Sequence, residues 1–175
     1  SSAAHGNLRL DVADALYTNQ SYKSFGGVMP TSTVITIEGN TTNLSTSNHI
    51  AYIWHGVDGY SKFGRYEGNG STDGSYVFTG FRPRMIFCKQ IDGAAEWTVY
   101  DSARSTTNMM SLVLQWDLSD AEKTSTDLST DGVDFLSNGF KFRGGGGGRT
   151  NQSSRTFVYG AWGDVPFKYG NSHQQ

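Results

Sequence analysis

Short runs of alternating or clustered apolar residues recur along the whole chain, separated by polar, glycine-rich breaks. That pattern predicts strands rather than helices. Strands are expected near 7–12 (NLRLDV), 32–38 (STVITIE), 49–54 (HIAYIW), 63–67 (FGRYE) and 75–80 (SYVFTG). Others are expected near 84–90 (RMIFCKQ), 96–101 (EWTVYD), 111–116 (SLVLQW), 139–143 (GFKFR) and 155–162 (RTFVYGAW). Asp58-Gly59, Asp73-Gly74, Asp92-Gly93, Asp131-Gly132 and Asn138-Gly139 supply turn residues between them. The one helix candidate is a turn or two over 119–124 (SDAEKT). This spacing predicts an all-β chain folded as an antiparallel β-sandwich.

The runs also repeat. LRLDVADA (8–15) parallels LVLQWDLSDA (112–121), and VITIEG (34–39) parallels GFKFRG (139–144). AYIW (51–54) then stands in the place of VYGAW (158–162), and YSKFG (60–64) in the place of PFKYG (166–170). The order is kept at an offset of roughly 105 residues. The expected organisation is a complete C-terminal module over 59–175, preceded over 1–58 by the back half of a related one. Half a sandwich leaves an apolar face bare and strand edges unpaired. Residues 1–58 are therefore expected to pack on the second module, on another copy of the chain, or on a segment ahead of them. The opening, SSAAHGNLRLDV, reads as a cut into a longer polypeptide.

Composition narrows the class. The 22 glycines compare with about 12 in an average chain of 175 residues, while aromatics reach 13% and charged residues only 17%. Disordered chains show the opposite balance of aromatics and charge, so a folded, turn-rich protein is expected. A net charge of −2 gives no basic field for nucleic acid or anionic membranes. The apolar-rich stretch MMSLVLQW (109–116) is too short to span a bilayer. The lone cysteine, Cys88, excludes an intrachain disulfide and reads as a buried strand thiol.

No catalytic pattern emerges. GNGST is not a nucleophile elbow, and the glycine run lacks the Gly-Lys-Ser/Thr ending of a phosphate loop. His5, His49, His55 and His173 show no zinc spacing; His49 and His55 would lie roughly 20 Å apart along a strand. Asp127, Asp131 and Asp134 in DLSTDGVD form a candidate calcium cluster that reads equally as an Asp-Gly turn. Trp54, Trp97, Tyr100, Trp116 and Trp162 are able to stack on sugars, but those in strands are expected to fill the core. No pair of acids stands out for glycosidic cleavage.

Between two predicted strands lie five consecutive glycines, Gly144, Gly145, Gly146, Gly147 and Gly148. The repeat places them opposite EGNTTNLSTSNH (38–49), so they belong to a loop at one end of the sandwich. Three readings stay open: a flexible connection, a binding loop, or packing between glycine tracts of neighbouring chains. In the second, bare backbone lets another surface approach closely, flanked by Arg143, Arg149, Asn151 and Arg155.

GYSKFGRYEGNGSTDGSYVFTGFRPRMIFCK (59–89), VYDSAR (99–104), DFLSNGFKFR (134–143) and PFKY (166–169) resemble an uncharacterised domain. It recurs, often in tandem, near the C-terminal ends of bacteriophage tail fibre and related virion proteins. The resemblance implies a concanavalin-like (jelly-roll) sandwich, a place on the outside of a virus particle, and trimeric assembly. It offers no catalytic residues, and the Gly144–Gly148 run departs from the mixed polar loop usual there. The expectation is a non-enzymatic virion protein without metal or other cofactor, associating with other virion proteins. Its distal loops would bind a bacterial surface receptor, with a glycan favoured. A structural fibre-shaft or capsid-decorating module is the alternative, and a depolymerase is a third class.

Overall fold

The computed structural model describes residues 6–18, 25–38, 42–124, 132–144 and 149–164. Among them the regular structure is all strand: β1 (Ser61–Glu67), β2 (Tyr76–Phe78), β3 (Pro83–Gln90), β4 (Thr98–Asp101) and β5 (Leu112–Gln115), then β6 (Lys123–Thr124), β7 (Val133–Leu136), β8 (Gly139–Phe142) and β9 (Thr156–Gly163). Every pairing is antiparallel. Six strands form one sheet in the order β1-β9-β3-β4-β5-β6, and three form a second in the order β2-β8-β7. The expected all-β, two-sheet fold is present.

Register explains the core. Tyr66 pairs with Phe157, Gly64 with Tyr159 and Lys62 with Ala161, so these residues share one face of the large sheet. Ile86 lies opposite both Ala161 and Tyr100, and Cys88 opposite Tyr159 and Thr98, which carries that face across β3 and β4. From the small sheet Phe140 and Phe142 of β8 meet it, and both are fully buried. Tyr66 stacks on Phe142 (5.0 Å between centroids) and Phe157 (5.1 Å), while Phe140 sits edge-on to Tyr159 at 5.4 Å. Aromatic pairs in these geometries add to the burial of their area. Cys88 is buried, as its place in an apolar run implied.

Several expectations are corrected. Residues 7–12, 32–38 and 49–54 form no strands; among the described residues before β1 there are only the isolated bridges Asn7–Tyr17 and Val57–Ser61. Alternation marks a segment as able to be a strand, but a strand needs a neighbour to hydrogen-bond, and none of the described strands pairs with these segments. The 119–124 stretch is not helical, because it is too short to recover the cost of a helical nucleus. Its end pairs with β5 as β6, held by Lys123 to Gln115 Oε1 at 2.7 Å and to Asp120 at 2.8 Å. Strand β7 is an addition: Val133 and Phe135 point inward and Ser137–Asn138 turns the chain into β8.

The turn after β4 carries a pH-sensitive anchor. Asp101 Oδ1 accepts from the backbone N–H groups of Ala103 (3.0 Å) and Arg104 (2.9 Å), and Oδ2 accepts from Arg104 Nε at 2.5 Å. Burial alone would raise the Asp101 pKa. The bonds from Arg104, its charge and the Ala103 N–H outweigh that and hold it below the ordinary 3.8. The folded state then binds fewer protons than the unfolded chain, so this stabilisation is complete above pH 3.8 and is lost as pH falls through 3.8 toward the lowered value. Urea midpoints across pH 2.5 to 6 are the check, the range being set at about one unit either side of the carboxylate region. Asp101→Asn should flatten the acid limb relative to the parent chain.

Candidate binding groove and loop network

The large sheet is apolar on its outer face as well. Phe63 pairs with Gly160, Gly160 with Phe87, and Trp162 with Met85, which sets these side chains on the face opposite Tyr66 and Ile86. A side chain at residue 160 would collide with this layer: a Cβ there would lie 2.5 Å from the Phe87 ring. Trp97 and Trp116 extend the layer from the far side of the sheet, their rings 5.6 and 5.3 Å from Phe87.

A strap from the N-terminal residues covers part of this face. Asn7 and Tyr17 exchange backbone bonds of 3.1 and 2.9 Å, closing a loop that docks on the segment after β3. Leu16 N donates to Ile91 O (2.8 Å), Ala95 N to Ala13 O (2.9 Å), and Trp97 Nε1 to Arg9 O (2.8 Å). Beneath the strap Lys89 is enclosed, its ammonium donating to the carbonyls of Gln90 (2.8 Å) and Ala13 (3.2 Å). Burial lowers its pKa below the usual 10.5, against the pull of Asp117, Asp14 and Glu96.

Between strap and sheet remains an open groove of about 720 Å³. Its floor is Phe63, Phe87, Trp97, Trp116 and Trp162, and Leu8, Leu10 and Trp54 close over one side. All four tryptophans of the chain therefore meet here. Their rings run in a chain of contacts: Trp116 to Phe87 at 5.3 Å, Phe87 to Trp162 at 5.8 Å, Trp162 to Trp54 at 6.3 Å, and Trp54 to Tyr52 at 6.2 Å. Trp54 is 62% exposed and Trp116 41%, whereas Trp97 is buried. The ionisable lining is Arg84, paired with Asp164 at 3.3 Å, and the phenol of Tyr60. Such a wall favours ring stacking and apolar contact over acid–base work.

The residues singled out around the glycine run have other partners. Gly144 is buried, while Gly145, Gly146, Gly147 and Gly148 lie outside the described residues. Arg143 Nε donates to Asp134 at 2.6 Å and its Nη1 lies 3.6 Å from Asp73. Arg149 pairs with Glu96 at 3.1 Å, and Arg155 Nη1 donates to Asp92 O at 3.4 Å. Asn151, 1% exposed, is a knot between loops. Its Nδ2 donates to Asn69 Oδ1 (2.9 Å), Ser71 O (2.9 Å) and Gly144 O (3.0 Å). Its Oδ1 accepts from Asn69 N (3.2 Å) and Ser75 N (3.4 Å). The adjoining backbone is equally close: a Cβ on Gly68 would sit 2.2 Å from Gln152 O. Asn151 thus holds the loop base together, with every polar atom of its side chain engaged inside the fold.

Of the calcium candidates, Asp127 and Asp131 lie outside the described residues, and Asp134 is held by Arg143. No group of three metal-ligating side chains occurs among the described residues. No helix among them is long and apolar enough to cross a membrane.

Sequence reasoning assigned the strand tryptophans to the core. Trp97 is buried, but with Trp116 and Trp162 it lines the groove on the outer face, Trp116 half exposed, of a sheet that is apolar on both sides. The available signal was the spacing in β3: Met85 and Phe87 alternate with Ile86 and Cys88, and both sets are apolar.

Fold and groove together define an all-β protein whose larger sheet carries an aromatic outer face. The chain belongs to the family described as Domain of unknown function (DUF7483), whose family model matches residues 1–166. The match runs through the strap and the exposed N-terminal stretch as well as the sandwich. No curated protein and no solved structure matches the chain.

Proposed function

We propose that this chain is a non-enzymatic module of a bacteriophage virion protein, of the tail-fibre or spike kind, that binds a bacterial surface glycan. The observation that carries the binding role is the aromatic run from Trp116 through Phe87 and Trp162 to Trp54. A row of half-exposed rings on a rigid sheet matches the apolar faces of successive sugar rings, and Arg84 with Asp164 supplies polar contacts at the rim. The virion assignment rests on the phage-like strings over 59–170, and with it go the place on the particle surface, the homotrimer and contacts with other virion proteins. Several copies engaging together multiply a weak single contact.

The groove, rather than the glycine loop, takes the main contact in this reading. Arg143, Arg149, Asn151 and Arg155 already hold internal partners and shape the loop end. A purely structural virion role is the second reading, favoured by Ile50, 82% exposed, and Tyr52, 75% exposed, in the N-terminal stretch.

Adsorption of the purified protein to host cells, and binding to their isolated polysaccharide, provide the test. Trp116→Ala should weaken binding at least about tenfold, equivalent to roughly 1.4 kcal/mol, with the melting temperature nearly unchanged because this ring is half exposed. Unaltered binding by a folded Trp116→Ala protein removes the groove from the account. Absence of any binding by the parent chain favours the structural reading.

A further inference from the structure

The segments 32–38 and 49–54 are strand-patterned yet strandless, and their large apolar side chains are exposed. Aligned on the repeat, Ile35 takes the position of Phe140 and Ile37 that of Phe142. Tyr52 takes that of Tyr159 and Trp54 that of Trp162, across a one-residue gap. The contrast in environment is large. Phe140 and Phe142 are fully buried and Tyr159 is 5% exposed, whereas Ile35, Ile37 and Tyr52 are 37, 47 and 75% exposed.

In the sandwich, β8 lies between β2 and β7, and β9 between β1 and β3. Phe140, Phe142 and Tyr159 share one buried cluster with Tyr66, Val77, Ile86, Val133 and Phe135, all contributed by residues 61–136. The last two strands of the fold therefore need its front half, and little else, to be buried.

We propose that residues 32–38 and 49–54 are the β8-like and β9-like strands of a second sandwich, donated to a front half equivalent to residues 59–138. The occupant is this same fold lacking its own last two strands. An intact second copy does not fit, because its β8 and β9 already fill the two slots. Strand addition supplies backbone bonds along both neighbours, and side-chain alternation fixes the register. Geometry at the C-terminal end of the stretch agrees. Trp54 sits edge-on to its repeat counterpart Trp162, and the chain passes directly through 55–60 into β1. Trp162 points outward from its sheet, so Trp54 keeps that contact when 49–54 becomes a strand. The result is a head-to-tail array in which each β9-like strand leads into the β1 of the next module.

The test lengthens the chain by placing a copy of residues 59–138 ahead of residue 1, and compares amide hydrogen exchange with the 175-residue protein. Amides of Ile35, Ile37 and Tyr52 should exchange at least 100-fold more slowly in the lengthened chain, while β8 and β9 stay protected in both. Ile35→Asp with Ile37→Asp in the lengthened chain should abolish the new protection and spare β8. Unchanged fast exchange overturns the proposal, as does failure of the lengthened chain to order its added residues. Concentration-dependent protection of 32–54 in the 175-residue chain also overturns it, since a second intact copy is then the occupant.

Discussion

Asn151→Ala is expected to destabilise the protein by about 3–5 kcal/mol, because it removes the bonds that tie the β1–β2 connection to the β8–β9 connection and leaves the buried Gly144 carbonyl without its donor. The amide lies at the meeting point of 69–71, 75 and 144 and bonds to all of them. Water has little access to replace it, since the Gly68 backbone is packed on the carbonyl groups of Asn151 and Gln152. Asn151→Asp keeps the volume but turns the three-way donor into an oxygen facing Asn69 Oδ1, Ser71 O and Gly144 O, so it should cost nearly as much. For a chain of this size the fall in melting temperature is about 10 °C or more. Thermal and urea unfolding measure it. A residue kept free for receptor contact gives the opposite result: its replacement leaves stability untouched and weakens adsorption.

Tyr66→Ala is expected to cost about 4 kcal/mol, in the range for emptying a buried aromatic site. Tyr66 stands where the sheets meet, with rings from β8 and β9 on several sides, and its hydroxyl donates to Thr150 O at 2.7 Å. Tyr66→Phe isolates that hydroxyl and should cost about 1 kcal/mol. Thr150 is next to Asn151, so the two sites share a backbone segment. The double variant Tyr66→Phe with Asn151→Ala should therefore fall short of the sum of its parts. Strict additivity in urea unfolding contradicts this shared support.

The sandwich strands were legible because alternation and turn chemistry agree over 61–163 and each strand finds its neighbour within the chain. The same alternation in VITIE and HIAYIW, residues 34–38 and 49–54, looks identical on paper. Periodicity reports which face a residue would present, and says nothing of whether a partner exists. Strand β7 was hidden because four residues, with the acidic run before them, resemble a turn more than a strand. At 119–124 the Asp120–Lys123 spacing suits a helix, but the pair closes a bend into β6 instead. The groove escaped notice for a physical reason. A tryptophan in a strand is buried by whichever layer covers it, and the sequence of β3 or β9 does not say that both layers are apolar. The loop arginines looked available because Glu96 and Asp92, which hold Arg149 and Arg155, are 53 and 63 residues away in the chain, and Asp134, which holds Arg143, sits on the strand β7 that was not foreseen.

The strand order has a consequence for how the chain is made. Strand β9 joins β1 to β3, yet among the described strands it is the last to be synthesised. As the polypeptide leaves the ribosome, β1 waits with an open edge for roughly 90 residues of translation and β3 for roughly 65, and the phenylalanines of β8 join the wait near its end. Closure comes at a single late moment, so a message cut short ahead of β9 yields sticky debris rather than a smaller domain.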